Sequence, residues 1–373
     1  MKTRKFGNIF DVSVLGFGAM RMPVSGGHVD ENEAIKMIRY AIDHSVNYID
    51  TAYFYHNGES EEIVGKALLD GYRSKTMLAT KLPLMGNVKC REDFDRLLEG
   101  QLKKLRTDHI DFYLLHSVNK NTWNDVILKL NLLDKMETAK KDGKIGHIGF
   151  SFHDDHDTFI KIIDAYDKWE FCQIQYNYMD TDNQAGTSGL EYAGSKGIPV
   201  IVMEPVLGGK LANTPPSVQQ IFDQYHTKRT AIEWALNFVW SRREVPMLLS
   251  GMSSMEQLKE NLRYAENAQY NALTDEDMAM LARVKEAYGK LRPVPCTECK
   301  YCMPCPSGVD IPANFSIYND TFAFGLEASK GGYMWIRGQQ ADLCTSCGQC
   351  ESKCPQKIGI SALMPKVHER LTS

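Results

Sequence analysis

The run "IDFYLLH", residues 110–116, reads as a strand that ends on an ionisable side chain. From Phe112 to Leu115 it is apolar without alternation, the pattern of a strand buried on both faces, as in a parallel sheet. Seven similar runs flank it: "VLGFGA" (14–19), "NYIDTA" (47–52), "TMLATKL" (76–82), "IGHIGFS" (145–151), "FCQIQYN" (171–177), "IPVIVMEP" (198–205) and "VPMLLSG" (245–251). Longer amphipathic segments lie between them, such as "NEAIKMIRYAIDH" (32–44), "REDFDRLLEGQLKKL" (91–105) and "RTAIEWALNFVWSR" (229–242). Eight strand–helix units in about 270 residues predict a (β/α)8 barrel over residues 1–290. A doubly wound nucleotide fold would need glycine where Arg21 follows Gly16 and Gly18, so it is discounted. The opening "RKFGNIFDVSV" has a turn at Gly7–Asn8 and predicts a hairpin outside the barrel.

The chain has 373 residues, 43% hydrophobic and 24% charged, the composition of a globular protein. A net charge of −4 leaves no electrostatic footprint for nucleic acid. The start "MKTRKFGNIFDVS" lacks an apolar core for a secretory leader, and no apolar run is long enough to cross a bilayer. The expected location is the cytoplasm, where thiols stay reduced and clustered cysteines favour metal over disulfides.

In such barrels the chemistry sits where the strands end. Asp50 ends the second strand, with Tyr55 in the loop after it; Lys81 ends the third and His116 the fourth. Any one of these could be a loop cap or a satisfied core residue. Ionisable groups from three successive strands on one rim favour a site, since burying each alone is costly.

These residues carry a resemblance. "DTAYFYHNGESEEIVGKAL" (50–68), "TKL" (80–82) and "LLH" (114–116) resemble the signature of the aldo/keto reductase family, over about residues 5–290. That family uses an Asp–Tyr–Lys–His tetrad, which Asp50, Tyr55, Lys81 and His116 match. The resemblance implies that Tyr55 protonates a carbonyl as it accepts hydride. A phenol with pKa near 10 is a weak acid, and a neighbouring Lys81 ammonium is expected to lower it. Asp50 would hold Lys81 charged and in place, and His116 would bond the carbonyl oxygen.

The resemblance also implies a nicotinamide nucleotide, NADP(H) or NAD(H). Gly18, Ala19 and Met20 follow the first strand. Ser151 and Gln175 match the family's carboxamide contacts. The Gly-rich "EPVLGGKL" (204–211), with Val206, Gly208 and Lys210, is suited to a pyrophosphate. In "SGMSSMEQLKENL" (250–262), Ser253 with Glu256 reads as a capping box, and a helix start after strand eight is where barrels bind phosphate. There Ser253, Gln257, Glu260 and Asn261 match the family's contacts to the adenosine end. Two positions depart from the family: Phe152 replaces an asparagine, and Met203 replaces the aromatic residue that stacks on nicotinamide. "HDDHD" (153–157) reads as the acidic first turn of a helix before it reads as a metal cluster.

"KLRPVPC" (290–296) ends the last helix and opens a small domain over residues 291–373. A motif occurs there twice, C-x2-C-x2-C-x2-C-P at 296–306 and C-x2-C-x2-C-x3-C-P at 344–355. The second copy matches the bacterial two-cluster ferredoxin run, whose fourth cysteine ligates the other cluster. That resemblance predicts two [4Fe–4S] clusters, one on Cys296, Cys299, Cys302 and Cys354, the other on Cys344, Cys347, Cys350 and Cys305. A pair of zinc sites, each held by four cysteines, is the alternative, but zinc sites usually pair two C-x2-C units.

Three functions follow. The barrel reduces a small carbonyl with a nicotinamide nucleotide while the clusters pass single electrons to or from a partner such as ferredoxin. Alternatively, a flavin occupies the altered subsite and is fed through the clusters, since flavins join one- and two-electron chemistry. Or the barrel is a nucleotide-binding redox sensor with little turnover.

Overall fold

The computed structural model describes residues 1–7 and 10–373. The chain begins with an antiparallel hairpin, β1 (Thr3–Phe6) and β2 (Phe10–Ser13). Gly7, at its turn, has a φ of 55°, and Asn8 lies outside the described residues. The barrel begins with β3 (Leu15–Gly18), followed by a minor hairpin of β4 (Val24–Ser25) and β5 (His28–Val29). It continues with β6 (Tyr48–Asp50), β7 (Met77–Leu82), β8 (Ile110–Val118), β9 (Ile145–Phe152), β10 (Phe171–Gln175), β11 (Val200–Met203) and β12 (Met247–Gly251). The eight strands from β3 on, β4 and β5 apart, are parallel and close into a barrel in chain order. Every predicted barrel strand is present; six are one to four residues shorter than the run that marked them, while β8 and β9 run one or two residues longer.

The register aligns the strand ends. Gly251 pairs with Gly18, Gly18 with Asp50, Lys81 with Leu114 and Gln175 with Met203. Polar residues that terminate separate strands therefore share one rim. The interior below them is filled by aromatic rings. Phe112 meets Phe6 at 5.4 Å, Tyr48 at 5.0 Å and Phe171 at 5.0 Å, all edge-on, the geometry that ring quadrupoles favour. Phe6 and Val12 of the hairpin belong to this cluster, so the hairpin covers the lower end. Buried Arg4 fixes it there by donating to the carbonyls of Val245 (2.8 Å) and Trp240 (2.7 Å), with its guanidinium 3.8 Å from the Tyr270 ring.

By its internal contacts the chain forms two compact units, residues 1–208 with 233–274, and residues 209–232 with 275–373. The second unit takes in more than the cysteine-rich tail, including the helices Pro216–Gln224 and Asp275–Lys290. Tyr225 ties these together by donating to the Asp277 carboxylate at 2.9 Å. Its own core is Val309, Ile311, Phe315, Tyr333, Ile358, Ile360, Met364 and Val367, drawn from the helices Ile311–Ala323, Leu326–Trp335 and Ile360–Thr372 and the turns around them. Six of the eight clustered cysteines lean on this core, while Cys299 and Cys347 are exposed. Among the described residues no helix is long and apolar enough to cross a membrane.

Candidate active site and cysteine centres

Lys81 lies at the centre of the rim site, near the end of β7. Its ammonium donates to Asp50 Oδ1 at 2.6 Å, to the Thr51 carbonyl at 2.8 Å and to the Tyr55 hydroxyl at 3.3 Å. Lys81 and Asp50 are almost fully buried. Burial alone would lower the lysine's pKa, but the Asp50 carboxylate and Tyr55 outweigh it, so Lys81 is raised and stays charged. For Asp50, burial pushes the carboxyl up and the Lys81 charge pulls against it. Behind β7 a buried polar network fixes the lysine's backbone. Gln101 donates to the Lys81 carbonyl at 3.0 Å and to Glu61 Oε1 at 2.6 Å, and receives the Tyr113 hydroxyl at 2.7 Å.

The Tyr55 phenol differs from the expectation. Burial pushes its pKa up, Lys81 pulls it down and Asp50 pushes it up again; the net direction is upward. The ammonium limits the rise rather than producing a fall, because the desolvation of a buried phenolate exceeds one ion–ion attraction. Tyr55 is therefore a neutral phenol with a proton to give. Glu204, just beyond β11 in left-handed backbone (φ 56°), adds a further upward push.

His116 sits 6.0 Å from the Tyr55 ring, edge-on, and its ring stacks on Phe54 at 6.3 Å. Burial, the Lys81 charge and His153 pull its pKa down to about 3. It is a neutral imidazole with one N–H to offer. The four residues of the proposed tetrad thus come together at one place.

The other named residues divide. Ser151 lies at the same rim, its hydroxyl accepting the Ser117 N–H at 2.8 Å. Gln175 and Met203 are paired in register, and Gln175 donates to the Asn183 carbonyl at 3.4 Å. Gly18, Ala19 and Met20 leave β3 at the rim, with Met20 exposed. Ser253 is not the helix cap. The helix Met255–Ala265 is capped by Ser254, whose hydroxyl accepts the Gln257 N–H at 3.3 Å. The Gln257 side chain reaches back to Ser253 N at 2.9 Å, so the box is one residue out of register. Asn261 is buried and donates to Ser250 Oγ at 2.9 Å, tying that helix to β12; Glu260 lies half-buried beside it in the chain. Val206 precedes the turn Leu207–Ala212. Lys210 does not offer a free ammonium, since it donates to Asp320 Oδ2 at 2.5 Å within the second unit. The "HDDHD" segment caps the helix His156–Asp164, with Asp155 accepting the Thr158 N–H.

Two residues escaped the sequence reasoning. Gln173 lies one layer below Gln175 on the same inward face; its carbonyl oxygen is buried with no partner among the described residues, and its amide approaches Met203 Sδ at 3.6 Å. The i, i+2 spacing with Phe171 and Gln175 was the available signal. The other is Arg21. A Cβ at Gly251 would meet its side chain at 3.0 Å and one at Gly208, where φ is 64°, would meet its Nη2 at 3.0 Å. Only glycine leaves room for a guanidinium laid across both loops.

The barrel residues fit a nicotinamide nucleotide. Asp50 Oδ2 and Gln173 Oε1 are buried acceptors with no protein donor among the described residues, and the hydroxyl and amide groups of such a ligand supply donors. The cysteines fit iron–sulfur clusters. Cys305, Cys344, Cys347 and Cys350 line one pocket whose remaining walls include Val309, Ile311, Ile360 and Met364. Cys296 has Cys299 and Cys354 as near neighbours, and Cys302 has Cys296, Cys350 and Cys299. Cys354 thus lies near the first motif copy, while Cys302 also neighbours Cys350 of the second. Among the described residues no three His, Cys, Asp or Glu side chains close round a single metal ion. Burial raises the Cys302 thiol to about 11 and Cys350 above its ordinary value, so iron must displace protons to bind.

Known proteins match both parts. The model of the aldo/keto reductase family matches residues 14–286, and that of the 4Fe–4S dicluster domain matches residues 295–358. L-galactose dehydrogenase of Arabidopsis thaliana is 26% identical over 284 residues, 70% of this chain and 87% of that protein. The holo form of aldo-keto reductase AKR11C1 from Bacillus halodurans superposes with a TM-score of 0.63 at 26% identity, over 76% of this chain and 96% of that one. An aldo-keto reductase from Klebsiella pneumoniae in complex with NADPH shares the fold, with a TM-score of 0.62 at 24% identity over 76% of this chain and 95% of that one. With the family match spanning most of its length, this chain is an oxidoreductase of the aldo/keto reductase family that carries a C-terminal 4Fe–4S dicluster domain.

Proposed function

We propose that the barrel reduces the carbonyl group of a small substrate with a nicotinamide nucleotide, NADPH in preference to NADH, while the tail carries single electrons on two [4Fe–4S] clusters. The observation that carries the reading is the buried Lys81 ammonium, held 2.6 Å from Asp50 and 3.3 Å from the Tyr55 hydroxyl. The bound nucleotide supplies hydride. His116, neutral and edge-on to Tyr55, orients the carbonyl by donating to its oxygen. Tyr55 gives its proton to that oxygen as negative charge develops there. Lys81 stabilises the phenolate left behind, and Asp50 keeps Lys81 charged and aimed. The unpartnered Asp50 Oδ2 and Gln173 Oε1 are suited to ribose and carboxamide groups, with Ser151 beside them. Arg21, across Gly208 and Gly251, is a cation available to the phosphates. The NADPH held by the Klebsiella neighbour supports the choice of nucleotide.

Cys296, Cys299, Cys302 and Cys354 would hold one cluster and Cys305, Cys344, Cys347 and Cys350 the other. A one-electron carrier of the ferredoxin type in the cytoplasm is the proposed partner. The division at residues 290 and 291 is retained as the boundary between the two functions, since the family matches end at 286 and resume at 295.

The test is Tyr55→Phe in anaerobically purified protein. It is expected to abolish NADPH-dependent reduction of simple aldehydes and to leave NADPH affinity within threefold. Full activity in the variant refutes Tyr55 as the acid. Stoichiometric flavin in the purified protein would replace this reading with a flavin reductase.

A further inference from the structure

Three lysines stand beside the cysteines of the tail. Lys300 follows Cys299, Lys353 precedes Cys354, and Lys357 lies three positions beyond Cys354. Backbone bonds hold them there. The Lys357 N–H closes a turn on the Cys354 carbonyl at 3.1 Å, the Lys353 N–H donates to the Cys350 carbonyl at 3.3 Å, and the Met303 N–H closes a turn on the Lys300 carbonyl at 2.9 Å. Cys354 neighbours Cys296, so both stretches meet at one set of cysteines. The acids beside them are Glu298 and Glu351. Glu351 is spent, because its Oε1 accepts the Ser361 N–H at 2.8 Å and the Ser361 hydroxyl at 2.5 Å.

All three lysines are exposed, as is Cys299. Among the described residues none of the three ammonium groups has an ion pair. Pairing is common elsewhere in the same unit. Lys290 meets Glu286 at 2.8 Å, Lys330 meets Glu327 at 2.7 Å, and Arg292 meets Asp320 at 3.7 Å. Arg337 and Lys366 also lack an acid, but neither adjoins a cysteine in the chain. Tyr301, next to Lys300, is 67% exposed. Tyrosine is enriched at protein interfaces, and charges around such a ring speed encounter with a partner of opposite sign.

We propose that Lys300, Lys353 and Lys357, with Tyr301 beside them, form the docking surface for an acidic one-electron carrier protein. The inference rests on the clusters and the carrier proposed above, and adds where that carrier binds and what charge it bears. A carrier must bring its own centre close to a cluster, and here unpaired cations adjoin an exposed cysteine. An iron–sulfur cluster held by four thiolates is itself negative and repels an acidic visitor. Three ammonium groups offset that repulsion and select an acidic partner over a basic one. On docking, one electron leaves the reduced centre of the carrier and enters the oxidised cluster; no bond forms or breaks. Cys302 neighbours Cys350, so the two cysteine sets adjoin and the electron has a short route onward.

The test is the affinity of the anaerobic full-length protein for a small acidic [4Fe–4S] ferredoxin, measured by titration calorimetry at low and at rising salt, with iron and sulfide determined on each sample. The parent is expected to bind at low salt and to weaken steadily as salt rises. Lys300→Gln with Lys353→Gln and Lys357→Gln should weaken binding about tenfold, the product of three exposed charge pairs at roughly twofold each. Arginine at the same three positions keeps the charges and should hold the parent affinity. Glu298→Gln removes the one acid left beside the lysines and should tighten binding about twofold. NADPH-dependent aldehyde reduction should be the same in all of them. If the triple glutamine variant loses iron, Lys353→Gln with Lys357→Gln is titrated instead, with a loss of about fourfold expected. Unchanged affinity at full iron content would overturn the surface. So would a loss of affinity in Trp335→Ser, at an apolar side chain 86% exposed, with none in the lysine variants. A parent that holds both clusters and binds no ferredoxin at low salt overturns the surface and leaves the clusters standing. A parent without [4Fe–4S] clusters overturns the cluster assignment and the surface with it.

Discussion

Removing the Lys81 charge gives the sharpest measure of what the rim site does. The ammonium lies 3.3 Å from the Tyr55 hydroxyl oxygen. At an effective dielectric of about 20, a full phenolate at that distance is stabilised by roughly 5 kcal/mol. With the proton about half transferred in the transition state, about half of that is felt, some 2.5 kcal/mol, or close to 10²-fold in rate. Lys81→Met alone is a poor experiment, because it strands the buried Asp50 carboxylate, and an uncompensated buried charge costs about 3–5 kcal/mol of stability. Lys81→Met with Asp50→Asn removes both charges together and keeps the fold testable. Single-turnover NADPH oxidation with a saturating aldehyde, followed by stopped flow, should slow about 10²-fold. The thermal midpoint of the double variant should stay near that of the parent. A folded double variant turning over within threefold of the parent would refute the idea that this ammonium stabilises the phenolate.

Two further outcomes are expected. His116, held down to about 3, stays neutral in the fold while the unfolded chain takes up a proton below about 6.5. Its share of stability is complete above that value and is lost as pH falls toward 3. His116→Asn should therefore flatten the acid limb of denaturant unfolding by up to about 1.4 kcal/mol per pH unit between pH 6 and pH 4; identical slopes would place the imidazole in water. The crossed ligand sets give the second outcome. Cys354→Ser should remove the resonance signal of the cluster on Cys296, Cys299 and Cys302, and Cys305→Ser that of its partner. Loss of the opposite signal in each case would show that each motif copy closes on itself.

The barrel was legible because doubly buried strands need apolar runs, and "IDFYLLH" or "TMLATKL" have no other stable use for such a pattern. The tetrad residues were legible for a related reason: ionisable groups at the ends of three successive apolar strands share one rim, and burying each alone is costly. What escaped depends on contacts distant in sequence. Lys210 in a glycine-rich loop reads as a phosphate ligand, and its bond to Asp320 crosses 110 positions. Arg21 served only to reject a glycine motif, since nothing local announces that Gly208 and Gly251 make room for it. The direction of the Tyr55 shift turns on how much water the folded site excludes, which no motif encodes. The cap at Ser254 instead of Ser253 is a choice between adjacent serines that only backbone geometry decides.

The interlocked rings of Phe6, Tyr48, Phe112 and Phe171 bear on traffic through the enzyme. With aromatic side chains stopping its lower end, the barrel is a cup and not a pipe. Everything that reacts there enters and leaves by one doorway. Two guests that share a doorway must queue, so the order in which they arrive constrains the order in which they depart.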